Sequence, residues 1–254
     1  MPNNNKLKIK GKNMKLIAYL SNGYPTLEES NARGKFFIEH GVDILEADFP
    51  GHDPYLDSEY LQRRIFAALK NESNYDVYMD ALIQLQEEVP GVEYLVNIYE
   101  YTVREIGVDK FVNFMRKINQ NQVLLIGITD PAVRQELEEH GLSASSYVTR
   151  SMLPQELELA KVANGFVYMQ GFGDESEYSK EYPTLKDCVT KVKEVIGTER
   201  PVYVGVGLHT FERVREVKES GADGAFLGSI ILRKEDAGED MAEYLSKIRE
   251  IANG

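Results

Sequence analysis

Residues 201–232 read PVYVGVGLHTFERVREVKESGADGAFLGSIIL, and they contain a strand, a glycine turn and a helix twice in succession. Val202-Tyr203-Val204-Gly205-Val206 has the composition of a buried strand, and residues 210–220 have helical period. Gly224-Ala225-Phe226-Leu227 begins the next unit. Strands that alternate with helices in this way predict parallel pairing.

The same unit recurs along the whole chain. Apolar or β-branched runs that alternate with helical segments cover residues 16–20, 44–49, 93–98, 123–128, 146–148, 165–169, 202–206 and 224–227. Two helical patterns, near residues 58–69 and 76–88, lie between the second and third runs. A single helix would be enough to complete the unit. We therefore predict an α/β fold, a single (β/α)8 TIM barrel with an extra helix between strands 2 and 3.

A doubly wound open sheet is the alternative architecture. It would usually have fewer strands and a glycine-rich turn after the first strand. The turn in this chain, Ser21-Asn22-Gly23-Tyr24-Pro25, lacks the dinucleotide-binding fingerprint. The closed barrel is therefore the favoured prediction.

Composition and charge limit the class of protein. The 254 residues include 29 Lys and Arg against 41 Asp and Glu, a net charge of −12. Nucleic-acid binding is not expected, because a surface that follows phosphates needs a basic face. No apolar run is long enough to span a membrane, and a single cysteine excludes an internal disulfide. We expect a cytoplasmic protein with a flexible polar leader over residues 1–13 and one barrel domain over residues 14–254.

Glycine turns follow the last two predicted strands. Gly205-Val206-Gly207 ends the seventh strand, and Gly228-Ser229 follows the eighth. In TIM barrels the loops after strands 7 and 8 frequently bind phosphate through backbone N–H groups and the N-terminus of a short helix. We predict a phosphate site here. The alternative is that these glycines serve only the tight turns.

The loop after the second strand holds the densest group of carboxylates. Glu46 and Asp48 alternate with Leu45 and Ala47, so the two acids share one face of the strand. An acidic pair that points into a barrel mouth is costly unless it has a function. Glu46 is therefore predicted to be functional, whereas Asp53 is better explained as a turn or capping residue.

These residues resemble the tryptophan synthase alpha subunit family over about residues 15–253. The family has a Glu at the end of strand 2 and a loop of the form Pro-x-x-Asp-Pro-x-x-Asp. This chain supplies Glu46, Pro50, Asp53, Pro54 and Asp57. The resemblance extends to Thr129-Asp130-Pro131, Tyr168, Gly205-Val206-Gly207 and Gly228-Ser229. It implies a lyase that cleaves indole-3-glycerol phosphate to indole and glyceraldehyde 3-phosphate, with no metal and no organic cofactor.

The resemblance also implies a role for each site residue. Glu46 would be the acid/base group that protonates indole C3 and removes the proton of the adjacent side-chain hydroxyl. Asp57 would accept the indole N–H and stabilise the positive charge that develops on the ring. The implied substrate-binding residues are Tyr19, Tyr168, Gly173, Val206, Gly207, Gly228 and Ser229. For the two tyrosines, core packing is an equal alternative.

Two features depart from the family pattern. Asp48 stands where the family usually has Gly, and a like charge there should raise the pKa of one of the two carboxyls. The loop over residues 170–177 is shorter and more acidic than the family's glycine-rich mobile lid and lacks its threonine. Gly173 or Ser176 could take the place of that threonine. The acidic residues of the loop would hinder phosphate binding unless they turn outward.

The implied partner is a tryptophan synthase beta subunit in a hetero-tetramer, docked at Asp53-Pro54 and Asp130-Pro131. Two other functions remain open at this point. A different phosphosugar aldolase or epimerase could use Glu46, Asp48 and Asp57 to hold a divalent metal, although histidine ligands are missing at the strand ends. A diverged alpha-like subunit could regulate the beta subunit without catalysis, which the altered loop would favour.

Overall fold

The computed structural model describes residues 13–127 and 130–254, in which nine parallel strands form one sheet of order β5-β4-β3-β2-β1-β9-β8-β7-β6. The strands are β1 (Lys15–Ser21), β2 (Ile44–Asp48), β3 (Glu93–Tyr99), β4 (Gln122–Ile126), β5 (Ser143–Ala144), β6 (Ser146–Val148), β7 (Val167–Gln170), β8 (Val202–Gly205) and β9 (Gly224–Leu227). The predicted leader lies outside the described residues apart from its last residue, and so does Thr129 of the predicted Thr129-Asp130-Pro131 motif.

The two ends of this strand order are joined by the chain itself. β5 pairs with β4, β6 pairs with β7, and only Ser145 lies between them. The Ser145 N–H donates to the Val123 carbonyl on one side, and the Ser146 N–H donates to the Phe166 carbonyl on the other. The eight-unit TIM barrel is therefore confirmed. The predicted fifth strand, residues 146–148, is β6, and the two-residue strand β5 before it was not predicted and pairs with the neighbour on the other side.

Helices cover the outside of the barrel in the part of the chain that the structure describes. They are α1 (Leu27–Glu39), α2 (Glu59–Asn71), α3 (Tyr75–Glu88), α4 (Glu100–Ile106), α5 (Val108–Lys117), α6 (Pro131–Glu139), α7 (Pro154–Val162), α8 (Leu185–Ile196), α9 (Phe211–Ser220), α10 (Gly228–Asp236) and α11 (Met241–Asn253). Both predicted helices between the second and third strands are present, as α2 and α3. No helix in the described ranges is long and apolar enough to cross a bilayer.

The helical segment between β3 and β4 differs from the repeating unit, which predicts one helix after each strand. Two helices, α4 and α5, follow one another there, with Gly107 between them at φ 92°. A residue in this left-handed region cannot continue a helix, and glycine adopts it without steric cost. The first helix was missed because its seven residues are too few to show a clear helical period.

The inner face of β2 carries the acidic pair. A buried apolar cluster that includes Ile17, Ile44 and Leu95 fills the barrel, whereas Leu45 and Ala47 pack in the layer between sheet and helices. Because side chains alternate along a strand, the residues that follow Ile44 on the inner face are Glu46 and Asp48. The barrel interior is therefore apolar at its base and acidic at the C-terminal ends of its strands.

Candidate active site

Glu46 is buried inside the barrel mouth and held by one hydrogen bond. It is 6 % exposed, and Asn97 on β3 donates from Nδ2 to Glu46 Oε1 at 3.0 Å. Burial raises the pKa of Glu46 well above its ordinary value, the charge of Asp48 raises it further, and the bond from Asn97 acts in the opposite direction. A carboxyl with a raised pKa can be protonated near neutral pH, so it can both give and take a proton.

Asp48 lies one step further along the same inner face, beside strand β1. Its register partner on β1 is Ser21, and Tyr19 pairs with Glu46. Burial and the charge of Asp57 raise the pKa of Asp48 to about 8, while the nearby Tyr19 hydroxyl opposes this rise. The Tyr19 hydroxyl lies close to Asp48 without the geometry of a full hydrogen bond.

Polar atoms without partners line this corner of the cavity. The hydroxyl groups of Tyr19 and Ser21 are buried and make no hydrogen bond to a described protein atom. A buried polar group without a partner costs free energy, and native proteins retain few of them. These hydroxyls are therefore suited to meet polar groups of a bound substrate. In residues 13–127 and 130–254, no group of three or more His, Cys, Asp or Glu side chains is arranged to hold a metal ion.

Asp57 approaches the same cavity from the loop before α2. The Tyr99 hydroxyl donates to Asp57 Oδ2 at 2.7 Å and accepts from the Leu56 N–H at 3.2 Å. Burial raises the pKa of Asp57, and the bond from Tyr99 lowers it. The next residue, Ser58, caps the N-terminus of α2 through its hydroxyl. The Asp57 carboxylate is thus held by the last residue of β3, and its backbone leads directly into a capped helix.

An aromatic wall stands opposite these carboxyls. Tyr168 on β7 stacks on Phe226 with ring centroids 4.5 Å apart and contacts Tyr147 at 5.5 Å. The charge of Glu46 contributes to a raised pKa of Tyr168, after the larger effect of burial, so the two side chains lie in one electrostatic environment. Gly205 permits this arrangement, because a Cβ there would overlap the Tyr168 hydroxyl. Gly205 therefore makes room for a side chain of the site.

Tyr147 was missed in the sequence because its strand is only three residues long. It is the register partner of Tyr168 and remains 44 % exposed, although it lies on an inward-facing position. Such exposure at an inner position means that the ring borders an open cavity. The alternation within Ser146-Tyr147-Val148 is the one sequence signal that points to this orientation.

The two predicted anion-binding turns follow neighbouring strands. β8 and β9 pair directly, so the turn at Val206 and Gly207 lies beside the start of α10 at Gly228. Val206 and Gly207 have φ values of 67° and 77°, and this conformation is a genuine outlier for a β-branched residue. No side chain caps α10, which leaves its first N–H groups, including that of Ser229, available to an anion.

The loop after β7 is anchored to these turns. The Gly171 N–H donates to the Gly205 carbonyl at 2.6 Å, and the Phe172 N–H donates to the Val206 carbonyl at 3.1 Å. The Gly173 N–H donates to the Tyr178 hydroxyl at 2.8 Å. The Gly173 N–H is therefore already bonded within the loop. As a predicted site residue, Gly173 would border the cavity with its backbone.

A buried arginine fixes both ends of the same loop. Arg150 is 3 % exposed and donates to the Gly171 carbonyl at 3.0 Å and to the Pro183 carbonyl at 2.9 Å. Its guanidinium also lies 4.1 Å from the centre of the Tyr178 ring. The acidic residues of the loop, Asp174, Glu175 and Glu177, are exposed. Their side chains are turned to solvent. In this orientation they would hinder a phosphate bound nearby less than if they pointed into the cavity.

A parallel barrel that brings a buried carboxyl of raised pKa, an aromatic wall and two adjacent glycine turns to the C-terminal ends of its strands is typical of a TIM-barrel enzyme. Comparison with known proteins gives the family. The model of the tryptophan synthase alpha chain family matches residues 5–253, and this chain belongs to that family. The family's members are lyases that cleave indole-3-glycerol phosphate in tryptophan biosynthesis, and this chain is a lyase of that type.

Individual relatives resemble the chain along its length. The tryptophan synthase alpha chain of Caldicellulosiruptor saccharolyticus is 30 % identical over 96 % of this chain and 96 % of that protein. The alpha chain of Aquifex aeolicus is 28 % identical over 94 % and 92 %. A crystal structure of tryptophan synthase from M. tuberculosis has the same fold, with a TM-score of 0.79 at 23 % identity, over 95 % of this chain and 94 % of that one.

Proposed function

We propose that Glu46 performs both proton transfers in the cleavage of indole-3-glycerol phosphate to indole and glyceraldehyde 3-phosphate. The observation that carries this proposal is the position of Glu46: buried on the inner face of β2, bonded to Asn97, with a raised pKa. A carboxyl held in this way changes protonation state without leaving its place. That is the requirement for an acid that later acts as a base.

The reaction then proceeds with a balanced movement of protons and electrons. Protonated Glu46 gives its proton to indole C3, which places a positive charge on the ring nitrogen. The resulting carboxylate removes the proton of the hydroxyl on the adjacent side-chain carbon. As that oxygen forms a carbonyl, the carbon–carbon bond breaks and its electron pair returns to the ring. Indole and glyceraldehyde 3-phosphate leave, and Glu46 is protonated again.

Asp57 supports this sequence from the other side of the ring. In the proposal its carboxylate accepts the indole N–H and stabilises the charge that develops when C3 is protonated. The bond from Tyr99 at 2.7 Å holds the carboxylate in place, so little reorganisation is needed during the reaction. Tyr19 and Tyr168 line the space for the indole ring, and the raised pKa values of both keep their hydroxyls neutral.

The phosphate end of the substrate is assigned to the two turns. Backbone N–H groups at Val206, Gly207, Gly228 and Ser229 would bind its oxygens, aided by the N-terminal end of the α10 dipole. Gly173 completes the rim of this site. The support for this assignment is that β8 and β9 are paired neighbours and that α10 begins without a capping side chain.

A partner at the barrel mouth is also part of the proposal. Family members normally pair with a beta subunit, and we propose a hetero-tetramer in which that subunit covers the loop at Asp53-Pro54 and the start of α6 at Asp130-Pro131. Tyr55 and Leu56 are 44 % and 64 % exposed beside Asp53. Adjacent large apolar side chains on a loop that carries function are typical of a surface that is covered by another protein.

Release of indole tests the proposed activity and partner together. Indole-3-glycerol phosphate is given to the purified chain, with and without a tryptophan synthase beta subunit from the same source. We expect indole from the chain alone and faster release with the beta subunit, since docking at the mouth would fix the loop between β2 and α2. No indole under either condition would contradict the assigned reaction. Stimulation of the beta subunit by a chain that releases no indole would favour a purely regulatory role.

Removal of Asp48 should change the pH dependence of cleavage. When it is ionised, the Asp48 carboxylate disfavours ionisation of Glu46, so Asp48→Gly should lower the pKa of Glu46. Glu46 must start protonated to give its proton to indole C3, and its pKa therefore sets the alkaline limb of the pH–rate profile. We expect that limb to move to lower pH. Asp48→Asn, which removes the charge but keeps the volume, should do the same, and an unmoved limb in both variants would exclude the coupling.

A further inference from the structure

Arg213 places a cation against one of the two anion-binding turns. It lies in the first turn of α9, and its Nη1 donates to the Gly207 carbonyl at 2.7 Å. Its guanidinium lies 4.7 Å from the centre of the Phe172 ring, which belongs to the loop after β7. The side chain is half-buried. It therefore occupies the junction between the two loops that border the predicted phosphate position.

The hydrogen-bonding capacity of this guanidinium is mostly unused. An arginine has five N–H donors, and one bond to the Gly207 carbonyl leaves four. Arg213 makes no ion pair with any carboxylate in residues 13–127 and 130–254. A half-buried cation without a counter-ion is suited to an anion that arrives with the substrate. The stack on Phe172 orients it in advance, which reduces the entropy lost on binding.

The negative charge of the surrounding chain would make a cation at this position useful for binding an anion. The chain carries a net charge of −12, and Asp174, Glu175 and Glu177 follow Phe172 within five residues. A phosphate dianion that comes within the screening length of physiological salt, about 8 Å, of those carboxylates is repelled by them. Backbone N–H groups supply only partial charges. A full positive charge at Gly207 offsets the repulsion where the phosphate would bind.

We propose that Arg213 is a substrate-binding residue that recognises the phosphate monoester dianion beside the Gly207 turn. The inference rests on the proposed function, because it takes the two turns as the phosphate site. It adds a charged side chain to a site otherwise built from backbone N–H groups. Arg213 acts in binding and takes no part in the proton transfers, so its contribution belongs in KM and in the affinity for phosphate.

Three variants test this role with inorganic phosphate as the probe. Arg213→Met removes the charge and keeps most of the volume, Arg213→Lys keeps the charge, and Arg215→Met is the matched control. Arg215 is exposed on the same helix, so its loss changes the net charge by the same amount. Dissociation constants for phosphate and for indole, KM and kcat for indole-3-glycerol phosphate, and Tm are measured for each variant and for the wild-type chain.

The proposal gives a distinct pattern across these measurements. Arg213→Met should weaken phosphate binding and raise KM on the order of tenfold, as expected for a lost charge-assisted hydrogen bond. Its kcat, Tm and affinity for indole should match the wild type. Arg213→Lys should retain a large part of the phosphate affinity, and Arg215→Met should retain all of it.

Other outcomes overturn the proposal in distinguishable ways. Unchanged phosphate affinity in Arg213→Met would remove Arg213 from the site while the proposed reaction stands. Equal losses of phosphate affinity, indole affinity and Tm in Arg213→Met would show that Arg213 only supports the loops. Equal losses of phosphate affinity in Arg213→Lys and Arg213→Met would show the same, because the lysine keeps the charge. A wild-type chain that binds no phosphate and releases no indole would overturn the proposed function and this inference together.

Discussion

Glu46→Gln is expected to lower kcat for the cleavage of indole-3-glycerol phosphate by roughly a thousandfold, within the range for loss of a general acid/base. The amide cannot give a proton to indole C3 or take one from the side-chain hydroxyl, and the buried position of residue 46 leaves little room for bulk water to replace it. KM should change much less, because the phosphate and the ring retain their contacts. Indole release under steady-state and single-turnover conditions measures the loss.

The fold should survive this substitution. A glutamine oxygen can still accept the bond from Asn97, which Glu46 accepts at 3.0 Å. Replacement of a buried acid by a neutral group of the same shape also removes the cost of ionising it in the interior. Tm should therefore be equal to that of the wild type or higher. Glu93→Gln, at the opposite end of the barrel beside Lys15, is the matched control and should keep full kcat. A Glu46→Gln enzyme with near wild-type turnover would remove Glu46 from its role.

Asp57→Asn is expected to have the second largest effect, a fall in kcat of roughly a hundredfold, close to the loss of one preorganised electrostatic group. The Tyr99 hydroxyl can still donate to the amide oxygen, so the loop keeps its anchor and the substitution removes mainly the charge. Without that charge, the positive ring nitrogen formed on protonation of C3 is less stabilised. The measurement is kcat and KM for indole-3-glycerol phosphate, with Tm as a check on folding.

Two companion variants separate the charge of Asp57 from its orientation. Tyr99→Phe removes the 2.7 Å bond and leaves the carboxylate, so its loss of kcat should be clearly smaller than that of Asp57→Asn. Asp53→Asn lies in the same loop without a contact to the buried carboxyls and should keep the kcat of the chain alone. If Asp53→Asn and Asp57→Asn lowered kcat equally, the effect would belong to the loop and not to the carboxylate.

The barrel was predictable because its strands are short apolar runs separated by helices of clear period. Parallel strands that are buried on both faces give such runs. The fifth strand was predicted over residues 146–148, where β6 lies, but the strand β5 before it was not, because two residues are too few to show a pattern. The helix α4 was not predicted, because its seven residues are too few to show a helical period. These failures are local and did not affect the order of units.

The positions of candidate residues were predictable where strand alternation or a turn alone determines them, and their roles in the reaction stay predictions. Alternation along β2 was sufficient to place Glu46 on the inner face, and turn position was sufficient for Gly207 and Gly228. Asn97 and Tyr99 could not be assigned, because their bonds to Glu46 and Asp57 depend on strand register and on the path of a loop. Sequence patterns show which face a residue lies on, but they do not show which side chain it meets.

The loop after β7 shows the same limit. Its acidic composition and its short length were visible in the sequence, and they favoured the alternative of a diverged, non-catalytic subunit. The structure shows a loop anchored by Arg150, whose bonds reach the Gly171 and Pro183 carbonyls at 3.0 Å and 2.9 Å. The partners of Arg150 are distant in sequence, so no local pattern predicts them. A fixed wall that carries its acids outward is compatible with a phosphate site beside it.

The most direct test is a crystal structure of the Glu46→Gln enzyme with indole-3-glycerol phosphate bound. We predict that the phosphate lies against the backbone N–H groups of Gly207 and Gly228. The reacting hydroxyl should then lie about 3 Å from the side chain of residue 46, the distance that a proton transfer requires. A phosphate bound away from both turns, or a hydroxyl out of reach of residue 46 with the indole ring elsewhere, would contradict the account.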